Sequence, residues 1–332
     1  MSEHVHISTV IPTYNRADRV VEAIDSVLAQ TSRCDEVIVV DDGSTDDTPR
    51  RLAMFGDAIR VVTQENAGVA AARNRGVAEA AHDWIAFLDS DDVWSPERIE
   101  RQRTLLARHP EAVLLATDWA WNDSPQQGRL PEQTKAALAE PAGADRNIIA
   151  LTRLGGHGIW LPTWLVRRDA LASAGGFDPA FRIAEDTLVL FRIARRFPIA
   201  VVPEVLALRR EDRDAVKLSL VGDDAYTREL RGYTLRILDE MEAHAADLDA
   251  ESQASLHRLH GYFLAREAAS LIRVGRYREA RSIARSALAL KPPTRQKLQA
   301  LLIALAPAAA RPLLRLGEAR SAASSTSGAS AA

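Results

Sequence analysis

Three short apolar runs in the first third of the chain each end in a cluster of polar residues. The runs cover residues 5–11, 36–40 and 84–88. Short runs of this kind, rich in β-branched residues, are typical of buried strands. Residues 19–30 and 70–81, which lie between the runs, carry apolar or alanine positions at helical spacing. The alternation predicts an α/β fold of Rossmann-like type, with a mostly parallel sheet, helices on both faces and right-handed crossovers.

The remainder of the chain continues this pattern and then becomes helical. Residues 119–160 are interrupted by Pro, Gly and Asn, which predicts loops. Regular spacing returns in four segments, predicted as helices over 163–174 and 186–197 and as short strands over 199–202 and 205–208. From about residue 219 onward the pattern is helical.

We therefore predict three regions. An α/β domain covers residues 1–215, an all-helical C-terminal domain covers 216–318, and a tail rich in Ser and Ala over 319–332 is disordered. Within the helical domain, residues 271–292 resemble a single tetratricopeptide-type pair of helices that pack closely through small residues. Two interpretations of this hairpin stay open: a purely structural cover, or a groove for a peptide.

Three carboxylates follow the third apolar run within four positions. They belong to Asp89, Asp91 and Asp92. Carboxylates crowded at the end of a strand repel one another unless a cation lies among them, and a divalent metal ion is the usual solution. A calcium-binding EF-hand loop is excluded, because Trp94 stands where that loop requires glycine. The alternative is an acidic turn that precedes a helix starting near Pro96.

Six segments of the sequence match the motifs of a known protein family in their order and spacing. They are residues 10–16, 39–46, 65–68 with 72–76, 87–92, 175–178 and 185–186. Together they resemble the family 2 glycosyltransferases, which are nucleotide-sugar-dependent enzymes with the GT-A fold. The resemblance implies a GT-A domain over 1–215, and it implies displacement of a nucleoside diphosphate from the anomeric carbon of a sugar.

The resemblance also implies which residues bind the donor. Asp89 and Asp91 match the Asp-x-Asp signature, so Asp91 would bind Mn²⁺ or Mg²⁺, and Asp89 would hold the ribose or help to bind the metal. Loss of the diphosphate develops negative charge, which a divalent cation can neutralise. Asp42, directly after the second strand, would accept a hydrogen bond from the nucleobase, typically from a uracil ring NH.

Four further residues complete the implied donor site. Thr13 and Tyr14 would line the pocket for the base and ribose, and Pro12 would shape the turn before them. Arg73 has two open interpretations. Its guanidinium could contact the base, the ribose or the diphosphate, or it could be a solvated charge on the surface of its helix.

A second acidic pair, Glu185 and Asp186, lies far downstream of the Asp-x-Asp segment. An acceptor hydroxyl is a poor nucleophile until a base removes its proton. The resemblance implies that Asp186 is this base and that Glu185 orients the site, with the Gly175–Asp178 segment at the family's spacing upstream. The alternative is that two acids at a helix start complement the helix dipole.

Composition narrows the class of protein. The formal net charge of −3 provides no basic field for nucleic acid, and the single cysteine, Cys34, precludes an internal disulfide. No signal peptide pattern and no run of 18 apolar residues is visible. We therefore expect a cytoplasmic enzyme. The resemblance implies that it is inverting and metal-dependent, with a UDP-sugar donor and a glycan or lipid-linked acceptor.

Residues 298–316 are strongly apolar but contain Arg311 and Arg315, and they are interrupted by Pro307 and Pro312. A spanning helix is therefore not expected. Two interpretations stay open. The segment packs on the helical domain, or it contacts the inner face of the membrane as a basic amphipathic element.

Two other functions compete with glycosyl transfer. A sugar nucleotidyltransferase would show a glycine-rich, basic loop after the first strand, where this chain has the segment 12–16. A non-catalytic scaffold acting through its helices would have no need for Asp42, Asp89, Asp91 and Asp186, all of which are present. A dehydrogenase is disfavoured because no Gly-x-Gly-x-x-Gly follows a strand.

Overall fold

Residues 5–155, 159–210 and 225–310 are described by the computed structural model of this protein. The chain divides into two units, 1–218 and 219–332. The predicted boundary between residues 215 and 216 and the predicted tail both lie outside the described residues, so both stay predictions.

The first half of the sheet has the predicted alternation of strands and helices. Its elements are β1 (Ile7–Thr13), α1 (Ala17–Leu28), β2 (Glu36–Asp41), α2 (Thr48–Ala53), β3 (Arg60–Thr63), α3 (Val69–Glu79) and β4 (Trp84–Phe87). β1 lies between β2 and β4, β3 lies outside β2, and all three pairs are parallel. Because β1 is buried along its whole length, its apolar run is nearly continuous.

The second half of the sheet is mixed. It contains β5 (Val93–Trp94), α4 (Arg98–Arg108), β6 (Leu114–Trp121), α5 (Glu132–Leu138), α6 (Ala144–Thr152), β7 (Leu165–Arg167), α7 (Arg168–Ser173), α8 (Glu185–Ala194) and β8 (Ile199–Arg209). The strand order is β3-β2-β1-β4-β7-β6-β8-β5. β7 is antiparallel to β4 and β6, and β5 to β8, whereas β6 and β8 are parallel. The predicted α/β fold is confirmed, with antiparallel pairs confined to this half.

One predicted helix, over residues 163–174, is wrong in its first part. Trp164, Leu165 and Val166 are fully buried, and Leu165–Arg167 form β7 between β4 and β6. Only Arg168–Ser173 are helical. A short apolar run does not distinguish a central strand from a buried helical turn, and here the pairing partners decide the structure.

The two predicted short strands near residue 200 are one strand, β8. Pro203 and Glu204 are exposed and fall where the pairing of β8 with β6 shifts register, between Val202 and Val205. Proline donates no backbone hydrogen bond, so within a sheet it is tolerated at such a bulge. The strand continues past the proline to Arg209, and this length brings its end beside the turn that follows β4.

The close packing of α3 on β1 depends on Gly76. A Cβ atom at this position would lie 2.3 Å from Val10 Cγ1, in the centre of the sheet. We expect Gly76→Ala to lower the free energy of unfolding by about 1–3 kcal/mol, because the added carbon overpacks the core. Ala78→Ser, which adds one atom at an exposed position of the same helix, should change it by less than about 0.5 kcal/mol. Urea unfolding of the two variants compares them; equal effects would contradict this packing.

The second unit is helical, as predicted. Its helices are α9 (Ala225–Glu242), α10 (Ala250–Arg273), α11 (Tyr277–Ala289) and α12 (Thr294–Leu305). Alanines from α10, α11 and α12 share one buried cluster. Gly261 lets α10 approach the end of α11, since a Cβ there would lie 3.2 Å from the Ala287 carbonyl oxygen. Within the described ranges, no helix combines the length and apolarity needed to cross a bilayer.

Candidate active site

An open cleft of about 430 Å³ lies at the carboxyl ends of β1, β2 and β4. Seven residues predicted from the sequence line it: Pro12, Thr13, Tyr14, Asp42, Arg73, Asp89 and Asp91. The lining also includes Arg16, Asn66, Gly68, Val69, Ala72 and Ser90. Parallel strands end at the same edge of a sheet, which explains why residues from three distant segments converge here.

Asp42 organises one wall of the cleft. Its carboxylate accepts hydrogen bonds from Gln64 Nε2 at 2.7 Å, from the Ala67 amide at 2.9 Å and from the Gly68 amide at 2.8 Å. It thereby fixes the loop that leads into α3. Gly68 has φ of 88°, which an L-residue rarely adopts. Asp42 lines the cleft and is 3% exposed, so these bonds hold its carboxylate in the wall of the cleft.

The loops after β1 and β2 are tied together by Asn15. The side-chain oxygen of Asn15 accepts a hydrogen bond from the Thr45 backbone amide at 2.8 Å. The backbone amide of Asn15 donates a hydrogen bond to Ser44 Oγ at 2.9 Å. Asn15 has φ of 50°, a left-handed conformation that asparagine tolerates better than most residues. The polar residues that end the two strands therefore hold one another in place beside the cleft.

The three acids in the turn after β4, Asp89, Asp91 and Asp92, have different environments. Asp89 accepts a hydrogen bond from Arg73 Nη2 at 2.7 Å, and Asp91 lies 3.5 Å from Arg16 Nη2. Asp92 is not one of the residues that line the cleft. It is buried, and its carboxylate accepts a hydrogen bond from the Arg210 amide at 3.1 Å. Asp92 thus supports the turn, while Asp89 and Asp91 line the cleft.

Electrostatics make the Asp89 and Asp91 pair suitable for a cation. Burial and the neighbouring Asp89 carboxylate raise the pKa of Asp91, so its negative charge is costly in the absence of a counter-charge. Among the described residues, no group of three or more His, Cys, Asp or Glu side chains is arranged to hold a metal ion. Two carboxylates at an open cleft instead fit a cation that takes its remaining oxygen ligands from a bound phosphate.

Arg210, at the end of β8, supports the turn that contains Asp89 and Asp91. Its Nε donates to the Asp91 carbonyl at 2.8 Å, and its Nη2 donates to the Arg19 carbonyl at 3.1 Å. Its Nη1 forms an ion pair with Glu22 of α1. Arg210 directly follows β8, and no local signal in the sequence indicates this contact, which spans more than one hundred residues.

Arg73 lies between the two acidic groups of the site. It is 5% exposed, and its guanidinium contacts Asp89 on one side and Glu185 on the other. Burial alone would lower the pKa of Arg73, but the carboxylates of Asp89 and Glu185 outweigh burial and raise it. The interpretation of Arg73 as a solvated charge is therefore wrong.

Glu185 and Asp186 form the first turn of α8. Glu185 is buried against Arg73, and Asp186 is mostly buried. The Oδ1 atom of Asp186 accepts a hydrogen bond from the Thr187 amide at 2.7 Å. Burial and then the Glu185 carboxylate raise the pKa of Asp186 to about 7. Ala184, just before them, has φ of 65°, a left-handed conformation that strains a residue with a Cβ atom.

The Gly175–Asp178 segment, which precedes α8, is hydrogen-bonded to Asn74 of α3. Phe177 donates its amide to Asn74 Oδ1 at 3.0 Å, and its carbonyl accepts from Asn74 Nδ2 at 2.6 Å. Gly176 has φ of 64° and passes so close to Asn74 that a Cβ would lie 2.9 Å from Oδ1. These contacts tie the loop before α8 to α3, the helix that carries Arg73. Asn74 therefore positions this loop. The residue belongs to the segment 72–76 identified from the sequence, but the sequence does not indicate this role.

Comparison with known proteins identifies the family of this site. The sequence profile described as Glycosyl transferase family 2 matches residues 8–174. The succinoglycan biosynthesis protein ExoO of Rhizobium meliloti is 34% identical over 196 residues, which are 55% of this chain and 54% of that protein. The putative teichuronic acid biosynthesis glycosyltransferase TuaG of Bacillus subtilis is 40% identical over 100 residues, 29% of this chain and 40% of that protein. The chain thus matches about half or less of the length of these two relatives.

Solved structures share the fold at low sequence identity. A crystal structure of S. aureus TarS 1-349 has a TM-score of 0.62 and 17% identity, and covers 94% of this chain and 92% of that chain. The mannosyltransferase PcManGT from Pyrobaculum calidifontis, solved with GDP-Man and Mn²⁺, has a TM-score of 0.50 and 21% identity over 93% of this chain and 88% of that chain. This likeness confirms the predicted GT-A fold. From the profile match over half its length, the chain is a glycosyltransferase of family 2.

Proposed function

We propose that this enzyme moves a sugar from a nucleotide-sugar donor to a hydroxyl of a glycan or lipid-linked acceptor, in the synthesis of a polysaccharide or cell-surface glycan. One observation carries the proposal: the cleft joins Asp42, Asp89 and Asp91 at the strand ends, and Arg73 connects it to Glu185, the residue before Asp186. ExoO and TuaG, by their names, act in the synthesis of such polymers. A cytoplasmic location belongs to the same proposal.

The donor half of the proposal places a UDP-sugar in the cleft. Thr13 and Tyr14 would line the base and ribose pocket next to Pro12, and Asp42 would accept a hydrogen bond from the base. Thr13 Oγ1 and Arg73 Nε are buried in the wall of the cleft and have no hydrogen-bond partner among the described residues. Buried polar atoms without a partner are costly, and a bound ligand removes this cost. Related TarS was solved with UDP-GlcNAc and with UDP.

The leaving diphosphate would lie at Asp89 and Asp91, which would hold Mn²⁺ or Mg²⁺. When bound there, the cation would neutralise charge that develops on the phosphate oxygens. Arg16, near Asp91, and Arg73, bonded to Asp89, add positive charge on either side of the pair. The hydrogen bond that Arg210 Nε donates to the Asp91 carbonyl would hold the turn, and therefore both carboxylates, at the cleft.

The acceptor half assigns proton removal to Asp186. Its Oδ atoms would take the proton of the acceptor hydroxyl as the acceptor oxygen bonds to the anomeric carbon and the carbon–phosphate oxygen bond breaks. Glu185, fixed by Arg73, would orient the site. A single displacement of this kind requires only one base and inverts the configuration at the anomeric carbon, so we infer an inverting enzyme.

Calorimetric titration with nucleoside diphosphates, with and without Mn²⁺, tests the donor half. We expect UDP to bind in a metal-dependent manner, and Asp91→Asn to weaken this binding at least about tenfold, because one of two anionic ligands becomes neutral. Asp83→Asn is the matched control, since Asp83 is an exposed acid just before β4, at the opposite end of that strand. Metal-dependent UDP binding that survives Asp91→Asn would remove Asp91 from this role.

A further inference from the structure

The charge of the chain is strongly uneven. Residues 274–310, which we call the basic hairpin, contain α11 and α12 and carry seven Lys or Arg residues and a single acid, Glu279. The complete chain nevertheless has a net charge of −3. Glu279 is also engaged locally, since it accepts a hydrogen bond from Arg276 Nε at 2.7 Å. The hairpin is therefore a concentrated positive surface on an otherwise acidic protein.

The same hairpin exposes a line of leucines. Leu298, Leu301 and Leu305 of α12 are 63%, 37% and 76% exposed. Their spacing of three and four residues places them on one face of the helix. The opposite face, with Ala300 and Ile303, is buried against the other helices. Large apolar side chains grouped on a surface in this way indicate contact with a partner.

The cations and the leucines share a face. At 100° per residue, Arg295 and Lys297 flank the line of leucines on its two sides, and both are exposed. At the C-terminal end of α12, Arg281 of α11 donates a hydrogen bond to the Leu305 carbonyl at 3.4 Å. Positive charge therefore borders the apolar line on both flanks and at one end.

We propose that the basic hairpin binds the surface of an anionic lipid bilayer, with the three leucines inserted and the surrounding cations against the headgroup phosphates. α12 has 12 residues, which at 1.5 Å per residue is shorter than the apolar core of a bilayer, so the helix lies in the interface. Lys and Arg extend their charged ends from such a depth to the phosphates. The inference is independent of the donor chemistry proposed above.

Sedimentation of the full-length protein with liposomes tests this proposal. At low salt we expect binding to vesicles of phosphatidylglycerol and phosphatidylcholine but not to phosphatidylcholine alone, with loss of binding as salt screens the charges. Replacing Leu298, Leu301 and Leu305 together by Gln should weaken binding at least about tenfold, and so should Arg295→Gln with Lys297→Gln. Circular dichroism and thermal unfolding verify that each variant is folded.

Controls separate the hairpin from other surfaces. Met54→Gln removes an apolar side chain that is 74% exposed in the first unit. The double variant Arg108→Gln with Arg153→Gln removes two exposed cations from the same unit. Both control variants should leave vesicle binding unchanged. Equal binding to neutral and anionic vesicles would overturn the proposal, as would unchanged binding by the leucine variant. The proposal would also fail if vesicle binding were abolished only by replacement of Leu313, Leu314 and Leu316. It would fail as well if the variant at Leu298, Leu301 and Leu305 converted a dimer to a monomer without affecting vesicle binding.

Discussion

Replacing Asp186 by asparagine is expected to lower kcat by about two to four orders of magnitude while donor affinity stays near the wild-type value. Asparagine keeps the shape of the side chain and its bond from the Thr187 amide, but it takes up no proton. Steady-state kinetics for turnover and calorimetry for the nucleoside diphosphate measure the two quantities separately. Asp83→Asn is the control and should change neither quantity, because Asp83 is an exposed acid just before β4.

The pH dependence gives this prediction a sign. Since burial and Glu185 raise the pKa of Asp186 to about 7, kcat should increase with pH through a limb near 7 as the base loses its proton. Ionisation of Asp186 costs more in the folded protein than in the unfolded chain. The free energy of unfolding therefore falls as the pH rises from the pKa of Asp186 in the unfolded chain toward its folded-state pKa of about 7. Asp186→Asn should therefore raise the melting temperature at pH 8 and have little effect at pH 4. Loss of donor binding together with turnover would instead assign Asp186 to the donor site.

Removing the guanidinium of Arg73 is expected to have the largest effect on stability. Arg73→Met would leave Glu185 and Asp89 without their shared partner, and loss of one member of a buried ion pair typically costs about 3–5 kcal/mol. Urea unfolding at pH 7 measures this loss.

A neighbouring arginine provides the control for this variant. Arg75→Met removes an exposed side chain on the same helix, whose bond to Glu79 is 2.8 Å long, and it should cost less than about 0.5 kcal/mol. Adding Glu185→Gln to Arg73→Met should recover part of the lost stability, because it removes one of the two uncompensated charges. If the two arginine variants were equally stable, Arg73 would not be the electrostatic centre of the site.

The features that could be predicted from the sequence are local ones. Asp42, Asp89 and Asp91 each follow an apolar run by one to four residues, and parallel strands bring such positions to one edge. The helical C-terminal region followed in the same way from periodicity. These patterns were informative because one short segment contains both the strand and the polar residues that its end presents.

Contacts between distant segments were beyond prediction. Arg73 and Glu185 are 112 positions apart, and no spacing rule indicates that they touch. The sequence pattern predicts a helix where β7 forms, because its antiparallel partners, β4 and β6, determine its conformation and are distant in the sequence. Arg210 reaches the Asp91 carbonyl only because β8 continues through a bulge at Pro203. In each case tertiary pairing, and not local propensity, decides the outcome.

The release of nucleoside diphosphate from a panel of nucleotide sugars tests the central claim most directly. The wild-type enzyme, Asp91→Asn and Asp83→Asn would be assayed in parallel with Mn²⁺ and with Mg²⁺. We expect the wild-type and Asp83→Asn proteins to release the diphosphate from the same donor at similar rates, and Asp91→Asn to be nearly inactive. No release from any donor with either metal, or equal release by Asp91→Asn, would contradict the assignment of the cleft as the donor site.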